Sequence, residues 1–272
     1  MINETFVYIK GSKIAVKVSG EGTKTILCIH GNSLCSDMWL SQLTSRQLSK
    51  NYRLIAFDLP GHGQSGWVEN TATGYKTKTM SLLVQDILNF YKTTSHVLVA
   101  SSFGTNVIGE ICTPTPGCKG IVLVSPCIVS NNLPPQVIFT GLPVPPVNVM
   151  GLPSENELQQ FASVMAFNNK SVRENFILSF KKTDPAFREE LGKSLLSNEW
   201  SDEVTNIATF KVPVCVIFGK EEKLIKTAYL NSFPSLWNNE TILIENAGHL
   251  VNQEQPENFN KILASFTSEV FR

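Results

Sequence analysis

The chain has 272 residues, of which 23 are Lys or Arg and 23 are Asp or Glu, so its formal net charge is zero. A balanced charge gives no overall field to attract nucleic acid or an anionic membrane surface, and we expect neither as a partner. The length favours one large core with an inserted lid over two independent domains. We therefore expect a protein that acts on a small molecule, as a monomer or a homodimer.

Targeting and metal signals are missing from the sequence. No stretch approaches 18 uninterrupted apolar residues, and the residues after Met1 do not form a basic segment leading into an apolar one. The six cysteines show no CxxC spacing and the four histidines are scattered singly. We expect a cytoplasmic protein with reduced thiols, no metal ion and no cofactor.

Alternating apolar runs and helical patterns predict the fold class. Short runs rich in β-branched residues predict strands at residues 6–9, 14–18, 25–29, 53–57, 96–100, 120–124, 212–218 and 241–244. Most of the later runs are continuously apolar, as expected of parallel strands covered on both faces. Apolar residues at helical spacing within 80–91 and 259–270 predict helices between and after them. We predict an α/β fold with a mostly parallel, eight-stranded sheet flanked by helices.

The alternation stops between about residues 126 and 209. A proline-dense stretch at residues 134–153 is incompatible with regular helix or central strand. Helix-start signals then follow at Ser154 with Glu157, Ser171 with Glu174, Asp184 before Pro185, and Ser201 before Asp202 and Glu203. We predict a helical cap of about four helices at 127–209, inserted between core segments 1–126 and 210–272. The alternative is that this segment only thickens the core.

The segment Ala100-Ser101-Ser102-Phe103-Gly104 has the form small-x-Ser-x-small and stands between an apolar run and a helical pattern. This is the pattern of a nucleophile elbow, a sharp strand-to-helix turn that exposes a serine hydroxyl. The flanking residues are small because the turn brings neighbouring backbone close. Ser102 is the predicted nucleophile. Ser101 is its competitor, but the residues that would flank it, Val99 and Phe103, are not small.

An acid and a base follow the serine along the chain. Glu221 and Glu222 come just after the predicted strand at 212–218, and His249 comes after the strand at 241–244. A serine nucleophile needs a base that takes its proton and an acid that orients the base. The chain offers these groups in the order serine, acid, histidine, which differs from the two familiar serine-protease orders.

Four motifs together resemble the α/β-hydrolase superfamily, in its cap-bearing serine hydrolase and esterase branch. They are His30-Gly31-Asn32-Ser33, the DxxGxGxS pattern at 58–65, the segment 212–222, and Gly248-His249 followed by Glu254, Pro256 and Phe259. The resemblance runs nearly end to end. It implies Ser102 as nucleophile, His249 as general base and Glu222 as the acid. The family more often has aspartate at the acid position, so Glu221 remains an alternative.

The resemblance also implies an oxyanion hole made of the backbone N–H groups of Asn32 and Phe103. The second of these lies at a helix start, where unpaired N–H groups favour negative charge. His30 and His62 are expected to organise loops through hydrogen bonds. Phenylalanines of the predicted cap suggest an apolar acyl or aromatic pocket, namely Phe139, Phe161, Phe167, Phe176 and Phe180.

The expected function is hydrolysis of a small to medium carboxylic ester through an acyl-enzyme. A serine at position 102 argues against the haloalkane dehalogenase and epoxide hydrolase branches, which use a carboxylate nucleophile. Lactone, thioester or carbon–carbon bond hydrolysis and acyl transfer use the same triad and stay open. A second class of function, a small-molecule sensor with slow turnover, is also compatible with this layout.

Overall fold

The computed structural model describes residues 1–272 and contains one eight-stranded sheet. The strand order is β1-β2-β4-β3-β5-β6-β7-β8. Strands β1, β2 and β4 pair antiparallel, and all pairs from β4–β3 to β7–β8 are parallel. The strands are β1 (Asn3–Ile9), β2 (Ser12–Ser19), β3 (Thr25–Ile29), β4 (Arg53–Phe57), β5 (His96–Ser101), β6 (Cys118–Val124), β7 (Val214–Gly219) and β8 (Leu236–Ile244). The predicted mostly parallel sheet is confirmed.

Helices cover both faces of this sheet. They are α1 (Leu40–Leu43), α2 (Arg46–Ser49), α3 (Thr71–Gly74), α4 (Thr77–Phe90), α5 (Phe103–Gly109), α6 (Pro135–Ile138), α7 (Glu155–Met165), α8 (Lys170–Lys182), α9 (Pro185–Leu196), α10 (Glu203–Thr209), α11 (Val251–Glu254) and α12 (Pro256–Val270). Two short 3-10 turns lie at Ser36–Trp39 and Val147–Val149. No helix has the length and apolar character needed to cross a membrane.

The core has two parts, one on each face of the sheet. Alternate side chains of β3 point to opposite faces, so Ile26 and Cys28 belong to one part whereas Leu27 and Ile29 belong to the other. Helix α12 packs its apolar side chains on the first face, and α4 packs on the second. This double cover explains why the central parallel strands are apolar along most of their length.

Several strand boundaries differ from the predicted ones, and two of these differences have a clear local reason. Strand β7 begins at Val214, not at residue 212, because Pro213 has no N–H to donate to a neighbouring strand. Strand β8 begins at Leu236, well before the predicted residue 241. Asn238 and Asn239 have left-handed backbone (φ 58° and 59°) beside an irregular pairing with β7, so this part of the strand has the sequence of a turn.

The four predicted cap helices are present as α7 to α10. Ser154 and Glu157 form the predicted capping box, and Asp184 caps α9. The predicted start at Ser171 is wrong, because the Asn169 side chain caps α8 two residues earlier by accepting from Val172 N. Asp202 caps α10 in the predicted region. The expectation of no helix in the proline-dense stretch is also wrong, because Pro135 occupies the first turn of α6, where a missing N–H costs nothing.

Candidate active site

Ser102 lies on a sharp turn between β5 and α5. Its backbone has φ 48° and ψ −125°, a left-handed conformation that is unusual for serine. Ser102 N donates to Val124 O at 2.9 Å, and Thr105 N donates to Ser102 O at 2.7 Å. These bonds to β6 and to the first turn of α5 stabilise a backbone that would otherwise be disfavoured, and the side chain faces a cavity.

The residues around Ser102 are small because the backbone passes close by. A Cβ at Gly104 would lie 2.7 Å from His30 O and 2.8 Å from Ile29 O, so this position excludes any side chain. Ala100 is fully buried in β5 between Ile29 and Leu123, and its methyl group is accommodated. Ser101, the competing serine, is fully buried with no partner for its hydroxyl.

Ser102, His249 and Glu222 form one hydrogen-bonded chain. His249 Nε2 lies 2.8 Å from Ser102 Oγ, and His249 Nδ1 lies 2.8 Å from Glu222 Oε2. The carboxylate can only accept, so Nδ1 carries the proton and Nε2 is left to accept from the serine hydroxyl. The side chains of His249 and Glu222 are 3% and 0% exposed. The parallel strands β5, β7 and β8 bring the three residues together because their carboxyl ends share one edge of the sheet.

The local environment keeps Glu222 ionised. Burial by itself raises the pKa of this carboxyl, but His249 and the N–H groups of Leu224 and Ile225 outweigh burial and hold the pKa below its ordinary value. Leu224 N donates to Glu222 Oε1 at 2.8 Å. One oxygen is therefore fixed by backbone while the other faces the imidazole, so the longer glutamate side chain reaches the position needed to orient His249.

Glu221, the alternative acid, has a different position and partner. Its Oε2 accepts from Ala247 N at 2.9 Å, and its own N–H donates to Ala247 O at 3.0 Å. Glu221 therefore joins the loop after β7 to the loop that carries His249, without contacting the imidazole.

The loop that carries His249 is anchored to both the core and the cap. Ser125 Oγ donates to His249 O at 2.8 Å, and Gly248 N donates to Glu254 Oε2 at 2.7 Å. Leu250 N donates to Met165 O at the end of α7, at 3.1 Å. The position of the imidazole thus depends on the docking of a cap helix. No sequence pattern indicates this last contact, because it joins backbone atoms of distant segments.

The two predicted oxyanion donors lie beside Ser102. Asn32 and Phe103 line the same cavity, and neither backbone N–H donates a hydrogen bond within the protein. The Asn32 side chain donates to Asn148 O at 2.7 Å and accepts from Ser33 Oγ at 2.7 Å, which fixes its loop against the proline-rich part of the cap. His30 also supports this loop, because Leu59 N donates to His30 Nε2 at 2.8 Å.

The cavity at Ser102 lies between the sheet edge and the cap; together with the open solvent at its mouth, it comprises about 910 Å³ not occupied by protein atoms. Its wall is largely apolar and includes Phe139, Phe161, Met165, Phe176, Phe180 and Trp200. Phe167, which the sequence also suggested for the pocket, is not part of this wall; it is half-buried after α7, and its carbonyl accepts from Arg173. No Lys or Arg lines the cavity.

Two residues near the site were not singled out from the sequence for any role there. Glu203, seen only as a helix-start residue, lines the cavity and bonds to Asn106. Arg188 is 2% exposed and donates to Met150 O, Gly151 O and the Ser33 hydroxyl. Their partners are far apart in the chain, so local patterns carry no sign of these contacts.

Comparisons with known proteins agree with this fold. A model of the alpha/beta hydrolase family matches residues 26–262. Bovine (Bos taurus) monoacylglycerol lipase ABHD6 is 25% identical over 264 residues, which span 90% of this chain and 76% of the relative. The solved N-acyl homoserine lactonase AidH superposes with a TM-score of 0.88 at 24% identity over 98% of both chains. A putative aryl esterase from Burkholderia cenocepacia gives 0.83 at 21% identity over 99% of both.

These findings confirm the family and the hydrolase enzyme class expected from the sequence. The matched residues include the turn at Ser102 and the loops that carry Glu222 and His249. Because the family model spans most of the chain, this protein belongs to the alpha/beta hydrolase family.

Proposed function

We propose that this protein is a serine hydrolase of neutral carboxylic esters, with Ser102 as nucleophile, His249 as general base and Glu222 as the orienting acid. The observation that carries the proposal is the Ser102–His249–Glu222 chain, with both hydrogen bonds at 2.8 Å, in the wall of an apolar cavity. A nucleophile and a base at this distance, with the base oriented by a third group, are the signature of covalent acyl transfer.

The reaction follows from the positions of these groups. Ser102 Oγ attacks the ester carbonyl carbon while His249 Nε2 takes the hydroxyl proton, and the imidazolium is stabilised by the Glu222 carboxylate. The carbonyl oxygen becomes an oxyanion that accepts from the N–H groups of Asn32 and Phe103. His249 then protonates the departing alcohol, and a water molecule activated by the same imidazole cleaves the acyl-enzyme. Each oxyanion donor contributes about 10² to 10³ in rate.

The cavity wall supports an uncharged, largely apolar substrate. Aromatic and aliphatic side chains gain free energy by covering an acyl chain, at about 25 cal/mol per Å² of apolar surface removed from water. The acidic residues in the wall are Glu199 and Glu203, and no Lys or Arg is present to pair with a substrate carboxylate. An anionic acid would therefore lose its hydration without compensation.

A fluorophosphonate probe followed by a substrate panel tests the proposal. The probe should label Ser102 in the wild-type protein, as found by peptide mapping, and should not label Ser102→Ala. The panel compares p-nitrophenyl esters, lactones and thioesters of matched acyl length. Lactones belong in it because a lactone is a cyclic ester and the AidH lactonase has the same fold. Labelling elsewhere, with no Ser102 adduct, would overturn the proposal.

Turnover number separates the enzyme from the sensor alternative. A hydrolase releases many equivalents of p-nitrophenol per protein molecule at a constant rate. A sensor would release about one equivalent and keep the acyl group. The proposal expects multiple turnovers, because the imidazole of His249 that accepts the serine proton can also activate water at the acyl-enzyme.

A further inference from the structure

Glu203, Asn106 and Cys127 form a second polar cluster in the cavity wall, which the proposed reaction does not use. Asn106 lies four residues beyond Ser102 on α5, roughly 6 Å along the helix axis. Glu203 begins α10 and is 1% exposed. Gly109 makes room for it, because a Cβ there would lie 2.5 Å from Glu203 Cβ. The sequence therefore accommodates a buried carboxyl group beside Asn106, the residue about one helical turn beyond the nucleophile.

Hydrogen bonds fix the orientation of every group in this cluster. Burial raises the pKa of the Cys127 thiol to about 12, so the thiol is protonated and donates to Asn106 Oδ1. Asn106 Nδ2 therefore faces the other way, and donates to Cys127 O at 2.9 Å and to Glu203 Oε2 at 2.7 Å. Val129 N donates to the same Oε2 at 2.9 Å. Glu203 Oε1 makes no hydrogen bond within the protein, and it is not sealed from the cavity.

The surroundings of the Glu203 carboxyl group favour its neutral form. Burial raises its pKa well above the ordinary value, which the hydrogen bonds from Val129 and Asn106 only partly oppose and the nearby carboxyls of Glu110 and Asp202 increase. No Lys, Arg or His forms an ion pair with it. Since Oε2 accepts two N–H groups, the proton belongs on Oε1. The Glu203 carboxyl group thus places a fixed O–H donor in a mainly apolar cavity wall.

From this arrangement we propose that Glu203 determines substrate specificity, by donating a hydrogen bond from Oε1 to a neutral acceptor that lies a few bonds from the scissile ester. A keto or amide oxygen fits this description. A carboxylate does not, because no cation lines the cavity. The inference rests on the proposed function, since it describes the substrate of the same site.

A matched pair of substrates isolates this contact. One is p-nitrophenyl levulinate, which carries a keto group on its acyl chain, and the other is p-nitrophenyl pentanoate, which has a methylene in its place. The measured quantity is the ratio of kcat/KM for the keto ester to kcat/KM for the alkyl ester. Taking this ratio in each variant relative to wild type cancels any intrinsic difference in reactivity between the two esters.

Removing the donor should lower this ratio. In Glu203→Met we expect a decrease of about tenfold, the size of one hydrogen bond to a neutral group. Glu203→Gln should keep the wild-type ratio, because its amide N–H₂ can donate from the same position while its oxygen accepts from Asn106 and Val129. Glu174→Gln, on the exposed surface of α8, is the control and should change neither rate.

Two outcomes would overturn the proposal. One is a wild-type ratio in folded Glu203→Met, and the other is a Glu203→Gln ratio as low as that of Glu203→Met. Failure of the proposed function is distinguishable, because it would appear as loss of Ser102-dependent hydrolysis of the alkyl ester itself. If Glu203→Met does not fold, a crystal structure of the wild-type protein tests the proposal instead. In that structure Ser102 carries a phosphonate with the keto chain. The keto oxygen should lie about 3 Å from Glu203 Oε1, and any other position contradicts the proposal.

Discussion

At the scale of single residues, Glu221 and Glu222 make different hydrogen bonds in the site. The two are adjacent in sequence, but one bonds to the backbone of Ala247 and the other to the imidazole of His249. The backbone N–H groups of Leu224 and Ile225 donate to Glu222 Oε1 and hold the carboxylate of this longer side chain in place. An acid one methylene longer than the family's usual aspartate therefore reaches the same partner.

This difference predicts unequal effects of two neighbouring substitutions. Glu222→Gln places an N–H donor against His249 Nδ1, favours the wrong tautomer and should lower kcat by about 10³ to 10⁴. Glu221→Gln keeps the size of the side chain and an oxygen that can accept from Ala247 N, and should lower kcat less than about tenfold. Steady-state kinetics on p-nitrophenyl butyrate measures both. A larger loss in Glu221→Gln than in Glu222→Gln would reverse the assignment.

The buried carboxyl of Glu203 makes a prediction about pH and stability. In the unfolded chain it ionises near 4.5, whereas in the folded protein burial keeps it protonated to higher pH. Because the folded state holds the proton more tightly, its contribution to stability is complete below the unfolded pKa and decreases as the pH rises towards the folded pKa. Glu203→Gln has no such proton. The difference in Tm, variant minus wild type, should therefore increase from about pH 4 to about pH 8. A constant or decreasing difference in thermal melts would contradict this.

At the scale of elements, helix α9 of the cap is held to its surroundings by a buried arginine with no carboxylate partner. Arg188 donates to Met150 O at 2.9 Å and to Gly151 O at 2.7 Å, and these two carbonyls accept no backbone N–H. Its guanidinium also lies over the Phe180 ring, at 3.9 Å from the centroid, and donates to the hydroxyl of Ser33, the residue after Asn32. The guanidinium group of Arg188 thus joins α9, the proline-rich segment and the core.

Loss of the Arg188 guanidinium group should destabilise the fold measurably. Arg188→Met leaves buried carbonyl groups without donors and should lower the free energy of unfolding by about 2 to 4 kcal/mol. Arg173→Met is a matched control, because Arg173 also donates to two carbonyls but is only half-buried, and should cost about 1 kcal/mol or less. Urea denaturation measures both. Equal losses of unfolding free energy in the two variants would show that burial of the Arg188 partners is unimportant for stability.

Elements differ in how far their sequence predicts them. The core strands are predicted well because β-branched apolar runs bounded by polar loops have few other structures available. The start of α8 is misplaced because Asn169 and Ser171 both have side chains that cap helices, and local sequence does not choose between them. The start of β8 is missed because its first half has the polar sequence of a turn.

At the scale of the whole molecule, the sheet edge explains which parts of the site the sequence predicts. Ser102, Glu222, His249 and Asn32 all follow parallel strands, so topology alone brings them together. The contacts of Glu203 and Arg188 depend on how the cap segment packs on the core, and they join residues as far as 155 positions apart. No local pattern encodes such a distance, and these residues emerge only from the folded chain.

The steady-state rate of Ser102→Ala decides whether this chain performs multiple-turnover ester hydrolysis through Ser102. Replacing the serine removes the nucleophile and leaves the fold, the cavity and the oxyanion donors intact. We expect kcat/KM on a short p-nitrophenyl ester to fall by at least about 10⁴, with an unchanged melting temperature or a higher one. Full hydrolysis of the same ester by Ser102→Ala would contradict this expectation.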